Sequence, residues 1–118
     1  MVRSFKDLIV WQKSFSLVKS VYRLSKDLPE RERFDLSSQR QRSAVSIPSN
    51  IAEGSERGTR KDYAQFLRIA LGSSAELETQ LLLANDLYNM NVVEVCASLT
   101  EVQKMLSAMI KSLDQTKT

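Results

Sequence analysis

At 118 residues the chain is about one domain long, and 42% hydrophobic with 26% charged residues is a globular composition. A single cysteine excludes an internal disulfide, and the lack of histidine removes the commonest general base and the commonest zinc ligand. The longest apolar runs, residues 8–11 and 81–84, are four residues long, against about 20 for a membrane helix and about 7–15 for a signal-peptide core. A cytoplasmic protein with no membrane partner is the expectation.

The net charge of +3 is unevenly spread. Residues 1–68 hold 14 Lys/Arg against 8 Asp/Glu, and residues 69–118 hold 3 against 6. A basic half followed by an acidic half suits a nucleic-acid face, and equally a head-to-tail contact between copies of the chain.

Hairpin turns and long alternating runs are missing, whereas helical periodicity runs throughout. The first predicted helix opens with Ser4 and Asp7 in capping-box spacing. Leu8, Trp11, Phe15, Val18 and Tyr22 follow at threes and fours as its core stripe, with Trp11 and Tyr22 read as core residues. Leu24 and Leu28 widen the stripe, Pro29 ends the helix, and a short turn over 29–34 follows. The second runs from about Ser37 to Arg57 on a thin stripe of Leu36, Ala44, Ile47 and Ile51. Pro48 inside it predicts a kink or an interruption, and Gly54 and Gly58 read as stop signals.

Thr59 and Asp62 form a second capping box. A third helix of about 30 residues carries Tyr63, Leu67, Ala70, Ser74, Leu77, Leu81, Ala84 and Tyr88 inward. Asn89 to Asn91 breaks the chain, Asn91 and Glu94 resemble a third cap, and Val92, Val95, Leu99, Val102, Leu106, Met109 and Leu113 make the fourth stripe. The tail after Asp114 should fray. The expected fold is all-α: one domain over 1–118, an antiparallel up-and-down four-helix bundle.

Beside the apolar stripe of the second helix runs a polar one: Gln39, Ser43, Ser46, Asn50, Glu53 and Arg57, spaced four, three, four, three, four. A solvated face favours Lys and Glu; Ser and Asn are poorer helix formers there. Small polar groups at this spacing suit a close helix contact with side-chain hydrogen bonds.

The run Gln39-Arg40-Gln41-Arg42-Ser43-Ala44-Val45-Ser46-Ile47-Pro48-Ser49-Asn50-Ile51-Ala52-Glu53-Gly54 resembles the signature of four-helix-bundle proteins encoded in 23S rRNA intervening sequences. The likeness continues through Phe66, Ile69-Ala70, Gly72-Ser73 and Glu76-Leu77, and includes the opening 5–11 and the Leu28-Pro29 stop. The chain departs from that pattern at Arg40, where an apolar residue is usual, and at Gln41, where the family tends to have arginine. The resemblance implies a four-helix protomer in a homo-oligomeric ring, a pentamer. It also implies kinship with the accessory protein of diversity-generating retroelements, a ring that binds nucleic acid and a reverse transcriptase.

Catalysis is not expected. Ser46 has no histidine to activate it, and no metal cluster or phosphate-binding glycine loop is present, so no catalytic residue, metal, cofactor or small-molecule substrate is assigned. Glu53 and Glu76 are candidate paired carboxylates that read better as structural groups between helices. Cys96 reads as a small buried hydrophobe. For RNA or single-stranded nucleic acid, the candidate contacts are Arg40, Arg42, Arg57, Arg60, Lys61 and Arg68. The candidate polar seam or subunit interface is Gln39, Ser43, Ser46, Asn50, Glu53, Ser73 and Glu76. The alternative is an oligomeric interaction scaffold that uses these charges in its own assembly.

Overall fold

The computed structural model describes residues 4–26 and 38–115. Four α-helices lie among the described residues: α1 (Ile9–Ser25), α2 (Ser38–Ser55), α3 (Arg60–Tyr88) and α4 (Val93–Gln115). They pack as a bundle extending 51 × 22 × 21 Å, with α2 chiefly against α3, α3 against α4, and α1 against both α2 and α4. Val10, Leu17, Val21, Ala44, Ile47, Ile51, Leu67, Ala70, Leu77, Leu81, Leu99, Val102 and Leu106 form the shared core.

Ser4 does accept a backbone N–H, that of Lys6 at 3.1 Å, but it caps a single 3-10 turn over Phe5–Asp7. α1 starts after this turn with no side-chain cap, and Gln12 ties the two together by donating to the Lys6 carbonyl at 2.9 Å.

The core face of α1 is not the aromatic stripe. Val10, Ser14, Leu17, Val21 and Ser25 point inward, whereas Trp11 and Val18 are half-buried and Phe15 and Tyr22 are 47% and 45% exposed. Both stripes have helical spacing, one rotated from the other by about a residue's turn. The inner one is made of smaller side chains, which lets α1 lie close to its neighbours. The expected Leu28–Pro29 stop, the 29–34 turn, Leu36 and the frayed end fall largely outside the described residues; α4 itself continues to Gln115.

α2 runs through Pro48 without interruption. A proline there loses one helical hydrogen bond, at about 3 kcal/mol, yet Ile47 and Ile51 on either side are fully buried and hold both halves in line. Gly54 is no stop signal either. It is a buried residue of the last turn, and a Cβ on it would stand 2.7 Å from the Phe66 Cβ and 3.1 Å from the Tyr63 ring. Its missing side chain is what lets α2 meet the start of α3.

Thr59 caps α3 as its spacing predicts, accepting the Asp62 N–H at 3.1 Å. α3 is 29 residues long and ends on Asn89 in the left-handed region at φ 53°. Asn91 then accepts the Val93 N–H at 3.2 Å to open α4. Across the α3–α4 contact Gln103 donates to Glu78 at 3.1 Å and to Ser74 at 3.3 Å.

Candidate functional site

The polar seam and the basic residues occupy different places on the bundle. At the seam, Ser46 on α2 and Ser73 on α3 share a hydrogen bond of 2.7 Å between their hydroxyls. Asn50 donates to both the Ser46 hydroxyl, at 2.9 Å, and the Ser46 carbonyl, at 2.8 Å. This is the helix contact for which small polar side chains are suited, because Ser brings the two backbones close while satisfying its own hydroxyl.

Gln39, Arg42, Ser43 and Ser46 of α2 and Ser73, Glu76 and Gln80 of α3 line a groove of about 340 Å³ beside that contact. Glu53 does not join it. Its carboxylate is exposed and pairs with Arg57, just past the end of α2, at 3.1 Å, so the structure does not assemble Glu53 and Glu76 as a carboxylate pair in this groove.

The basic candidates separate into four environments. Arg57, Arg60 and Lys61 gather where α2 ends and α3 begins, and all three are exposed. The Arg57 guanidinium lies over the Phe66 ring, 4.8 Å from its centroid, as well as against Glu53. Arg60 and Lys61 occupy the first turn of α3, where backbone N–H groups have no helical acceptor. Arg68 is further along α3, committed to Asp114 of α4 and to Gln65 at 3.1 Å. Arg42 lies toward the other end of α2, about 20 Å of helix from Ser55.

Arg40 is the correction. Its side chain is fully buried, so it cannot reach a phosphate from the surface. One guanidinium nitrogen donates to the Ser25 hydroxyl of α1 at 3.1 Å; Nε and the other terminal nitrogen have no partner among the described residues. Burial holds its pKa below the ordinary arginine value. Position 40 precedes Ala44, Ile47 and Ile51 by four, seven and eleven, so the core stripe of α2 already contains it. That spacing is the signal for its burial that the sequence offers.

Cys96 is half-buried, and burial followed by the nearby Glu78 carboxylate pushes its thiol pKa up. A raised pKa is the opposite of what a nucleophilic thiol requires. Among the described residues no group of three or more Cys, Asp or Glu side chains is placed to hold a metal ion, and no helix is long and apolar enough to cross a membrane.

A solved structure from Bacteroides thetaiotaomicron, a protein with unknown function from the S23 ribosomal protein family, is similar to this chain. The similarity covers 87% of this chain and 99% of that one, with a TM-score of 0.81 and 31% sequence identity. No curated protein matches. The profile of the family described as 23S rRNA-intervening sequence protein matches residues 6–110, which include the polar seam, Arg40 and the basic α2–α3 corner. The chain is thus a member of the 23S rRNA-intervening sequence protein family.

Proposed function

We propose that this protein is a non-enzymatic, homo-oligomeric binding module that associates with RNA in the cytoplasm, each chain forming one domain. The observation that carries the reading is the α2–α3 corner, where exposed Arg60 and Lys61 project from the Thr59-capped first turn of α3 beside Arg57. Two arginine forks and a lysine together favour phosphate oxygens. The name of the family, tied to intervening sequences of 23S rRNA, supports RNA as the polyanion.

Assembly is supported by a second surface. Leu83 and Leu87, one turn apart on one face of α3, are 45% and 62% exposed, and neighbouring large apolar side chains in water favour a protein contact. A contact between different surfaces repeats until its rotation closes, giving a ring. Five protomers are the number the family resemblance supports. A ring presents the corner several times over, and avidity makes a weak phosphate site effective.

The scaffold reading draws on one specific feature: around the corner Arg57, Arg60 and Lys61 are matched in number by Glu53, Glu56 and Asp62. Replacing Arg57, Arg60 and Lys61 together by alanine separates the two. RNA affinity at low salt should fall about tenfold or more for all sequences alike, because phosphate contacts carry no base information. Light scattering should still return about five times the 13.4 kDa protomer mass. Unchanged RNA affinity removes the corner from RNA binding, and a fall to the protomer mass assigns these charges to assembly.

A further inference from the structure

α1 has two apolar stripes and buries only one of them. On the outer stripe Phe15 and Tyr22, seven residues apart on one face, are 47% and 45% exposed, about 10.5 Å apart along the helix axis. The Phe15 ring is braced from behind: Trp11 lies against it with centroids 5.0 Å apart, and Phe5 meets Trp11 edge-on at 5.3 Å. The Lys19 ammonium stands 5.5 Å from the Phe15 ring centroid. Lys19 is four residues after Phe15 and three before Tyr22, so ring, cation and ring follow one another along the face. α1 contains Lys13, Lys19 and Arg23 and no Asp or Glu. Lys13 is committed to Glu101 of α4, whereas Lys19 and Arg23 are exposed.

We propose that this face of α1 binds single-stranded nucleic acid, with unpaired bases stacking on Phe15 and Tyr22 and with Lys19 and Arg23 holding the phosphates between them. The proposal rests on the RNA-binding reading and adds to it the surface that engages bases, which the α2–α3 corner lacks. Charge chooses the occupant. Within α1 the charged residues beside these exposed rings are cations, with Glu94 of α4 sharing a groove with Arg23; such a face complements a polyanion that has π-faces. The exposed Leu83 and Leu87 face of α3 is aliphatic, with Asp86 next to Leu87 in the chain, so it suits another protein chain instead. The separation of the two rings corresponds to about three stacked nucleotide steps of roughly 3.4 Å, within the span of one short strand.

The test uses the full chain, a fluorescently labelled oligouridylate and a duplex RNA of the same length. Phe15→Leu with Tyr22→Leu keeps apolar side chains on the face and removes both rings. Oligouridylate affinity should fall about tenfold or more, with duplex affinity and assembly mass unchanged. As an independent readout on the unaltered protein, the emission of Trp11, the sole tryptophan, should change on adding oligouridylate, because a base on Phe15 alters the ring against which Trp11 lies. Equal losses for oligouridylate and duplex, or no loss for either, overturn the α1 assignment and leave the RNA-binding reading standing. A double variant that falls to the protomer mass also overturns it, by making the face a contact between copies. Failure of the unaltered protein to bind either RNA at low salt overturns both.

Discussion

Arg40→Met is expected to raise the stability of the protein. A guanidinium taken out of water costs several kcal/mol unless its hydrogen bonds are replaced. Here one nitrogen has a partner, the Ser25 hydroxyl, and among the described residues two have none. Ser25 does not depend on Arg40, because its own hydroxyl donates to the Val21 carbonyl at 3.0 Å. Methionine retains an unbranched apolar stem at a position lined up with Ala44, Ile47 and Ile51, and removes the buried charge. Exchanging buried charged groups for apolar ones of similar volume is neutral or stabilising by about 1–4 kcal/mol in other proteins. Among the described residues this arginine has no carboxylate partner, so the upper part of that range is expected, with Tm raised by several degrees. Thermal melts of both proteins at one concentration decide it; a lower Tm for Arg40→Met would show that the buried guanidinium stabilises the fold.

The second large effect has the opposite sign. Gly54→Ala should destabilise the protein by about 1–3 kcal/mol or more, the range for overfilling a packed site. In an open helix the same change is favourable by about 1 kcal/mol. At Gly54 the added methyl meets the Phe66 Cβ at 2.7 Å and the Tyr63 carbonyl oxygen at 3.3 Å. The Phe66 Cβ is fixed to the α3 backbone and cannot swing away, so α2 and α3 must separate. Gly72 is the control. It lies on the exposed side of α3, where an added methyl would have nothing within 4 Å, and Gly72→Ala should stabilise by about 0.5–1 kcal/mol. Urea unfolding of both variants reads the two signs; a Gly54→Ala protein as stable as the parent would contradict the close approach.

Much of this architecture is legible in the sequence because local chemistry determines it. Thr59 with Asp62 begins α3, and the Asn89–Asn91 stretch ends it and opens α4; in each case a side chain or a left-handed residue satisfies a specific backbone need. The features read differently from sequence are those decided by packing. Periodicity identifies both faces of α1 as helical but cannot rank them, and the larger aromatic side chains draw the core assignment to the outer one. Pro48 reads locally as a break, yet tertiary packing on Ile47 and Ile51 outweighs its lost hydrogen bond. Gly54 reads as a terminator, while its role depends on Phe66, twelve residues away.

The candidate site divides the same way. The spacing of Ser43, Ser46 and Asn50 marks a helix contact, and Ser73 of α3 is what meets it. Counting arginines, by contrast, ignores direction. Arg40 shares the interval pattern of the core, and Arg68 shares the side of α3 that reaches Asp114, whereas Arg60 and Lys61 project from a helix start. Charge composition shows that cations are present; the helical phase of each one determines whether it meets solvent.

An oligomeric RNA-binding module makes a sharp demand on the salt dependence of oligouridylate affinity. If each of five protomers neutralises two phosphates, about ten contacts form, and log K against log salt should fall with a slope near −7. Binding would then collapse between low and physiological salt. A slope close to zero, or no binding at the lowest salt, would contradict the proposed function.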